Sequence, residues 1–194
     1  MMVIGLTGSI AMGKSEAAKI LADYGLAVFD SDAEVHKLYD SEAGATLMRP
    51  FVPEATAHGR VDRKLVTEAV LKDPTLLSRL EKQVHAEIRK RRDAFIARTK
   101  AAGAKAVVLD IPLLFETGSE KDMDKTIVVS SQPEIQRTRA LARLGMTEER
   151  LSMILAKQMP DAEKRAKADV VIKNNASLAD LKKSLLDILQ TWGI

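Results

Sequence analysis

Five short stretches of the chain are continuously apolar, and amphipathic stretches separate most of them. The apolar stretches are residues 2–6, 27–29, 106–109, 126–129 and 170–172. Uninterrupted apolar runs of this length are typical of parallel strands that are covered on both faces. Between the first two runs, apolar residues such as Ala17, Ile20 and Tyr24 recur at helical spacing. The pattern predicts an α/β fold, namely a doubly wound five-stranded parallel sheet whose strands are joined by right-handed helical crossovers.

The connection between the second and third predicted strands is too long for one crossover. Helical spacing predicts a short helix over residues 33–39 and another over residues 63–70, the second capped by Asp62. Pro74 is suited to open a long helix. The apolar stripe of that helix consists of Leu77, Leu80, Val84, Ile88 and Phe95.

The remaining segments complete a single predicted domain. Residues 41–60 contain two prolines and two glycines and are predicted to be a loop. Helices are predicted over residues 133–144, from Thr147 to residue 159, and after Ser177. The last helix carries an apolar stripe of Leu181, Leu185, Ile188 or Leu189, and Trp192. We interpret the chain as a core (about 1–32, 101–136 and 160–194), a helical insertion (about 33–100) and a small helical lid (about 137–159). The insertion is expected at the carboxyl edge of the sheet, where α/β enzymes bind a second substrate.

Composition places the chain among ordinary globular proteins. Of its 194 residues, 46% are hydrophobic and 29% are charged. No apolar run approaches the roughly 18 residues of a membrane span. Because the chain starts with a predicted strand, we expect no signal peptide. The chain has no cysteine, so disulfides and thiolate metal sites are excluded. A cytoplasmic location without a membrane partner is expected.

The net charge of +3 is compatible with an anionic partner. Nucleic acid is not the expected partner, because aromatic residues for base stacking make up only 4% and acidic residues are spread among the basic ones. The densest basic cluster, Arg89 to Arg92, lies within the long predicted helix. It fits either a solvated helix face or contact with an anionic substrate.

One motif between the first strand and the first helix carries most of the chemistry. It fits G-x-x-x-x-G-K-[ST], the phosphate-binding P-loop, and consists of Gly8, Ser9, Ile10, Ala11, Met12, Gly13, Lys14 and Ser15. Glycines let successive backbone N–H groups curl around phosphate oxygens, and the helix N-terminus adds its dipole. Lys14 is expected on the β- and γ-phosphates of a nucleoside triphosphate, and the Ser15 hydroxyl on Mg²⁺.

Two predicted strands end in aspartate. Asp110 closes the third, which is the Walker B pattern, and it is expected to bind Mg²⁺ beside Ser15. The alternative is an aspartate that merely closes a strand at a turn. Asp30 and Asp32 follow the second strand, where a kinase needs a carboxylate to take the proton of the attacking hydroxyl. The alternative for Asp32 is the N-cap of the next helix.

Four arginines lie in and around the predicted lid: Arg137, Arg139, Arg143 and Arg150. Arginines stabilise the charge that develops on a migrating phosphoryl group. Arg139 and Arg143, at i and i+4, are expected on one helix face. The alternative is a set of surface salt bridges with Glu148 and Glu149. Motifs of guanine-specific GTPases (Asp-x-x-Gly, Asn-Lys-x-Asp) are absent, which favours a small-molecule kinase.

These residues resemble the dephospho-coenzyme A kinase family along nearly the whole chain. Residues 4–15 are similar to its I-G-L-T-G-G-I-G-S-G-K-S segment, and residues 30–32 to its D-A-D segment. Residues 59–63 resemble G-x-[LI]-[DN]-R, and residues 80–85 resemble L-E-x-x-x-H. Residues 110–116 are nearly identical to D-x-P-L-L-F-E, the most specific piece. Gln158, Lys164, Ala168, Asp169 and Asn174 fit the closing Q…K…A-D-x-x-[IL]-x-N pattern.

The resemblance implies phosphorylation of the ribose 3′-hydroxyl of dephospho-CoA by ATP with Mg²⁺, on a nucleoside monophosphate kinase-like fold. It implies Asp32 as the catalytic base and Arg139 and Arg143 as lid arginines. The implied acceptor contacts are Asp32, Arg63, His85, Leu113 and Phe115, and Asn174 joins the P-loop in binding the nucleotide. The enzyme is expected to be a monomer or small homo-oligomer.

The chain departs from the family pattern at several positions. Ser9 and Ala11 replace glycines of the P-loop, so the backbone must avoid positive φ there or tolerate strain. Ala86 replaces the proline that follows the family's histidine, and residues 51–54 lack its Phe-Gly pair. The departures at residue 86 and at residues 51–54 concern details of the acceptor site more than the ATP site.

Overall fold

The computed structural model describes all residues from 1 to 194, and it contains the predicted five-stranded parallel sheet. The strands are β1 (Met2–Thr7), β2 (Ala27–Asp30), β3 (Ala106–Asp110), β4 (Lys125–Ser130) and β5 (Val170–Lys173). Their order across the sheet is β2-β3-β1-β4-β5. Because β1 is central, its carboxyl end is flanked by the ends of β3 and β4, with Leu6 in register with Asp110 and Thr7 in register with Val128.

Nine α-helices connect and cover the strands. They are α1 (Lys14–Asp23), α2 (Ser31–Tyr39), α3 (Glu42–Met48), α4 (Arg63–Lys72), α5 (Thr75–Ala101), α6 (Pro133–Leu141), α7 (Glu148–Leu155), α8 (Asp161–Lys167) and α9 (Leu178–Thr191). The chain forms two compact units. The sheet unit comprises residues 1–29 and 98–194, and the helical unit comprises residues 30–97. No helix combines the length and the hydropathy that crossing a membrane requires.

The core of the sheet unit lies between the sheet and helices α1 and α9. Ser177 caps α9 in a capping box with Asp180, as the sequence predicts for the start of this helix. The buried positions of α9 are Leu181, Leu185 and Leu189. Of the two alternatives for the third position of the stripe, Leu189 is therefore the buried one. These side chains pack against α1 and the apolar residues of β1, β3 and β4.

The helical unit has its own apolar core, and two sequence predictions for it are wrong. Residues 41–60 are not a loop throughout, because Ser41 caps α3 and residues 53–56 form a 3-10 turn. Met48 and Val52 are fully buried in this core, which stabilises a segment that its prolines and glycines marked as irregular. In α5 the buried stripe begins at Leu76 rather than Leu77, whose side chain is exposed.

Three further differences concern the second half of the chain. Helix α6 ends at Leu141 instead of residue 144, and the side chain of Leu144 is fully exposed. Helix α7 ends at Leu155 instead of residue 159. The sequence prediction missed α8 altogether, because its only buried side chain is a lysine and it has no apolar periodicity to detect.

Candidate active site

The phosphate loop, residues 8–15, follows β1 and leads into α1. Both motif glycines are required by their surroundings. A Cβ atom at Gly8 would lie 2.6 Å from the carbonyl oxygen of Val129. Gly13 has a left-handed backbone (φ 98°), and a Cβ atom there would collide with the side-chain amide of Asn174. The loop therefore packs closely against β4 and the residue that follows β5.

Only one of the two residues that replace family glycines is strained. Ala11 has φ of 61°, whereas Ser9 does not have a positive φ. A left-handed conformation costs a residue with a Cβ atom about 1–2 kcal/mol. The methyl group of Ala11 is buried against Ala140 of α6 and Leu151 of α7. Burial of this methyl group offsets part of the cost.

Lys14 and Asp110, which are 96 residues apart in the chain, meet at the carboxyl edge of the sheet. The Lys14 ammonium donates a hydrogen bond to the Asp110 carboxylate, and Asp110 is only 2% exposed. Ser15 follows Lys14 in the first turn of α1, where it is exposed. The structure thus brings Lys14 and Asp110 together, and Ser15 directly follows Lys14 in the chain.

Carboxamide side chains hold the backbone of the phosphate loop. Asn174, which is 7% exposed, donates from Nδ2 to the carbonyl oxygen of Met12 (3.0 Å). Gln136 Nε2 donates to the carbonyl oxygen of Ile10 (2.8 Å), and the Ile10 N–H donates to Gln158 Oε1 (3.1 Å). Gln136 was missed at the sequence level, because a lone glutamine inside a helix carries no motif. Gln158 and Asn174 were found only through the family pattern.

Arg139 and Arg143, the two arginines predicted to lie in the lid, do not share one helix face. Arg139 lies on α6 and donates to the carbonyl oxygen of Asn174 (3.0 Å). Arg143 lies beyond the end of α6, where its exposed side chain makes no hydrogen bond or ion pair. The expectation of an i, i+4 pair is therefore wrong, because α6 ends before Arg143. The salt-bridge alternative holds for Arg137, which pairs with Glu148, while Arg150 donates to the carbonyl oxygen of Gly145 (3.2 Å).

The loop after Asp110 is fixed to the sheet through its backbone. The carbonyl oxygen of Pro112 accepts hydrogen bonds from Thr7 Oγ1 (3.1 Å) and from Lys164 Nζ (3.3 Å). Leu113 is 39% exposed, whereas Phe115 is 6% exposed and packs in an apolar cluster. Of these two candidate acceptor contacts, only Leu113 presents its side chain to the surface.

A buried ion pair anchors the same loop to α8. Lys164 is fully buried, and its ammonium lies 2.8 Å from Glu116 Oε1. That oxygen also accepts the N–H of Met159 (2.8 Å). Burial alone would raise the pKa of Glu116, but the hydrogen bonds from Lys164 and Met159 outweigh it and hold the pKa below its ordinary value.

Lys164→Met is expected to lower the free energy of unfolding by about 3 kcal/mol, because it leaves the Glu116 carboxylate largely buried without its cation. Combining Lys164→Met with Glu116→Gln removes both charges and should restore most of that loss. Urea denaturation measures both effects, with the exposed Lys167→Met of the same helix as control. Since the folded-state pKa of Glu116 is lowered, the contribution of the pair is present above about pH 4.5 and is lost as the pH falls below that value. Equal losses in the single and double variants would contradict the assignment.

In the helical unit, Asp30 and Asp32 have different surroundings. Asp30 is the N-cap of α2, and its Oδ1 accepts the N–H of Ala33 (2.9 Å). Asp32 lies in the first turn of α2, where its exposed carboxylate makes no hydrogen bond or ion pair. The alternative that Asp32 is the N-cap is therefore wrong, because Asp30 occupies that position.

A cavity of about 340 Å³ lies in the helical unit beside the start of α4. Its lining residues with charged or titratable side chains are Asp40, Glu54, His58, Arg60, Asp62 and Arg63. The guanidinium of Arg63 lies 5.5 Å from the centre of the Tyr39 ring and 3.9 Å from Asp40 Oδ1. Burial raises the pKa of Tyr39, and the Arg63 charge opposes that shift. His85 is exposed on α5 and does not line this cavity.

Comparison with known proteins identifies the family. The family model of dephospho-CoA kinase matches residues 2–180. A dephospho-CoA kinase of Rhodopseudomonas palustris is 47% identical over 190 residues, which cover 98% of this chain and 95% of the relative. That of Agrobacterium fabrum is 48% identical over 193 residues, covering 100% and 99%. The solved dephospho-CoA kinase from Campylobacter jejuni is 28% identical, with a TM-score of 0.71 over 97% of this chain and 95% of its own. The chain belongs to the dephospho-CoA kinase family.

Proposed function

We propose a role for each candidate site residue of this chain in the reaction of the dephospho-CoA kinase family. The enzyme transfers the γ-phosphoryl group of ATP to the ribose 3′-hydroxyl of dephospho-CoA, giving CoA and ADP in the final step of CoA biosynthesis. The observation that carries the assignment is the contact between Lys14 and Asp110 at the end of the phosphate loop. The contact joins the cation of the phosphate loop to the carboxylate that closes β3, which supports a shared role in binding a nucleotide.

The phosphate loop binds ATP in this proposal. Its backbone N–H groups and the N-terminus of α1 bind the phosphates. Lys14 gives up its hydrogen bond to Asp110 and binds oxygens of the β- and γ-phosphates instead. Asn174 supports ATP binding by holding the loop, because its side-chain amide donates a hydrogen bond to the Met12 carbonyl oxygen. It is a supporting residue rather than a direct contact of the nucleotide.

A magnesium ion fits the residues beside Lys14. The Ser15 hydroxyl and the Asp110 carboxylate are hard oxygen ligands of the kind Mg²⁺ prefers, together with water and phosphate oxygens. When bound, the ion neutralises charge on the β- and γ-phosphates. The proposal also includes a cytoplasmic location and a monomer or small homo-oligomer. Magnesium titration, cell fractionation and light scattering test these three points.

The acceptor is proposed to contact residues of the four segments 30–32, 59–63, 80–85 and 110–116, which resemble the family pattern. Asp32 takes the proton of the ribose 3′-hydroxyl. Arg63, in the wall of the cavity, is suited to the anionic groups of the acceptor, because it is a cation and 46% of its side-chain surface is exposed. Leu113 and His85 supply exposed side chains for apolar and polar contacts, respectively.

One coupled assay tests the proposal as a whole. ADP release is measured with ATP and dephospho-CoA, with and without Mg²⁺, beside a panel of nucleosides. ADP formation that depends on both dephospho-CoA and Mg²⁺, with the new phosphate on the 3′-oxygen by phosphorus NMR, is the expected result. Turnover of a nucleoside in place of dephospho-CoA would instead indicate another small-molecule kinase.

Arg143→Ala is expected to lower kcat about ten- to hundredfold while leaving the KM for dephospho-CoA nearly unchanged. The side chain is exposed and has no partner within the protein, so its charge is available to the transferring phosphoryl group. Steady-state kinetics with both substrates separates the two parameters. Arg165→Ala, at an exposed position of α8, serves as control. A raised KM for dephospho-CoA with normal kcat would place Arg143 in acceptor binding.

A further inference from the structure

Two glutamine side chains form hydrogen bonds with the backbone N–H and the carbonyl oxygen of Ile10, at the tip of the phosphate loop. The Ile10 N–H donates to Gln158 Oε1 (3.1 Å), and the Ile10 carbonyl oxygen accepts from Gln136 Nε2 (2.8 Å). Gln136 lies on α6 and is 8% exposed, and Gln158 lies three residues after the end of α7. Both polar groups of one loop residue are therefore held by the lid segment and the helix that enters it.

The orientation of each carboxamide follows from its partner. A backbone N–H can only donate, so Gln158 must present its oxygen, and a backbone carbonyl can only accept, so Gln136 must present its nitrogen. The two glutamines are thus not equivalent. Gln158 acts as an acceptor and Gln136 as a donor, although both contact the same residue.

Helices α6 and α7 also pack against the side chains at the tip of the loop. Ile10 and Ala11 pack against Ala140 of α6 and Leu151 of α7. Ala11 is the residue with the left-handed backbone. A conformation of this kind persists only where the surroundings hold it. The hydrogen bonds to Ile10 and the apolar contact of Ala11 provide that restraint from one side of the loop.

We infer that Gln136 and Gln158 are positioning residues, which clamp the Ile10 peptide and so keep the phosphate loop in the shape that receives ATP. They couple the position of α6 and α7 to the loop through one residue. Neither glutamine contacts a substrate in this inference, since both act through Ile10. The inference rests on the proposed role of the loop in binding ATP.

Glutamate substitutions at the two positions make a matched test. Gln158→Glu keeps an acceptor for the Ile10 N–H, whereas Gln136→Glu loses the donor and faces a carbonyl oxygen with a carboxylate. Both variants add one negative charge beside the same peptide, so repulsion of ATP is common to both. Gln136→Glu is expected to raise the KM for ATP about three- to tenfold more than Gln158→Glu does, the range of one lost hydrogen bond. The KM for dephospho-CoA should stay unchanged in both.

Hydrogen exchange tests the clamp without any nucleotide. In Gln158→Met the Ile10 amide loses its acceptor and should exchange at least about threefold faster, while in Gln158→Glu it should retain its protection. Gln190→Glu, at an exposed position of α9, controls for added charge. Because exchange is measured on the free enzyme, it reports on the clamp independently of ATP binding. Lys14→Ala tests separately whether the loop binds ATP.

Three results would overturn the inference. The first is an equal rise in the KM for ATP in the two glutamate variants, which would show an effect of charge alone. The second is unchanged exchange of the Ile10 amide in Gln158→Met. The third is a parallel change of both KM values and of thermal stability, which would indicate general destabilisation rather than positioning of the loop.

Discussion

Lys14→Ala is expected to lower kcat/KM about a thousandfold or more, because the lysine contacts the reacting phosphates. The Lys14 ammonium donates a hydrogen bond to Asp110 at the end of the phosphate loop. Binding of ATP offers it phosphate oxygens, and the charge on those oxygens grows as the γ-phosphoryl group leaves. Alanine removes this stabilisation without altering the backbone donors of the loop. Coupled ADP release gives the kinetic change, and calorimetry gives the affinity for ATP.

The control for this prediction must separate catalysis from folding. Asp110 is nearly buried, so loss of Lys14 leaves its carboxylate without that cation and also destabilises the protein. Combining Lys14→Met with Asp110→Asn removes both charges; it should restore thermal stability but not turnover. Lys19→Ala, at an exposed position on the same helix, should retain activity. A loss of less than tenfold in a folded Lys14→Ala enzyme, about 1.4 kcal/mol, would show that Lys14 does not bind the reacting phosphates.

The sheet and the phosphate loop could be predicted from the sequence because their determinants are local. Each strand is a continuous apolar run, and the loop is a contiguous motif with glycines at residues 8 and 13. The structure shows why glycine is needed at both positions, since one faces the backbone of Val129 and the other the amide of Asn174. These neighbours lie far away in the chain, so the motif indicates the requirement without revealing its cause.

The elements that the sequence prediction missed are stabilised by non-local or polar contacts. Helix α8 is anchored by the ion pair of Lys164 with Glu116, which leaves no apolar periodicity. Helix α3 forms because Met48 is buried in the core of the helical unit, a context that propensity alone does not contain. Gln136 supports the loop from 126 residues away, and only the folded structure can reveal such a pair.

The candidate site was predicted in parts rather than as a whole. Lys14 and Asp110 were each assigned from a motif, and their contact depends on the neighbouring positions of β1 and β3 in the sheet. Phe115 was expected to contact the acceptor but is buried in an apolar cluster. An apolar residue in a loop after a strand has the same appearance in the sequence whether it faces a ligand or the core, and burial alone distinguishes the two.

Asp32→Asn is expected to lower kcat by a factor of about 10² to 10⁴, the range for a lost general base, with the affinity for dephospho-CoA retained. A ribose hydroxyl is a weak nucleophile, and it needs a carboxylate to orient it and to take its proton. Asp32 is exposed and has no partner, so its carboxylate is available to a substrate hydroxyl. Asparagine keeps the shape of the side chain and removes its basicity. Coupled ADP release measures kcat, and calorimetry measures the affinity for the acceptor.

Asp30→Asn is the matched control, because it makes the same change of charge two residues away. Asparagine can still accept the Ala33 N–H, so the N-cap of α2 is preserved in this variant. Asp30→Ala, in contrast, removes the cap and should cost about 1 kcal/mol of stability. If Asp32 is the base, Asp32→Asn loses far more kcat than Asp30→Asn, although both proteins carry one negative charge less and both keep α2. Equal losses would indicate a general effect of charge. A near-normal kcat in Asp32→Asn together with a large loss in Asp30→Asn would transfer the role of base to Asp30, and the capping bond to Ala33 would then have to break or be shared when the acceptor binds.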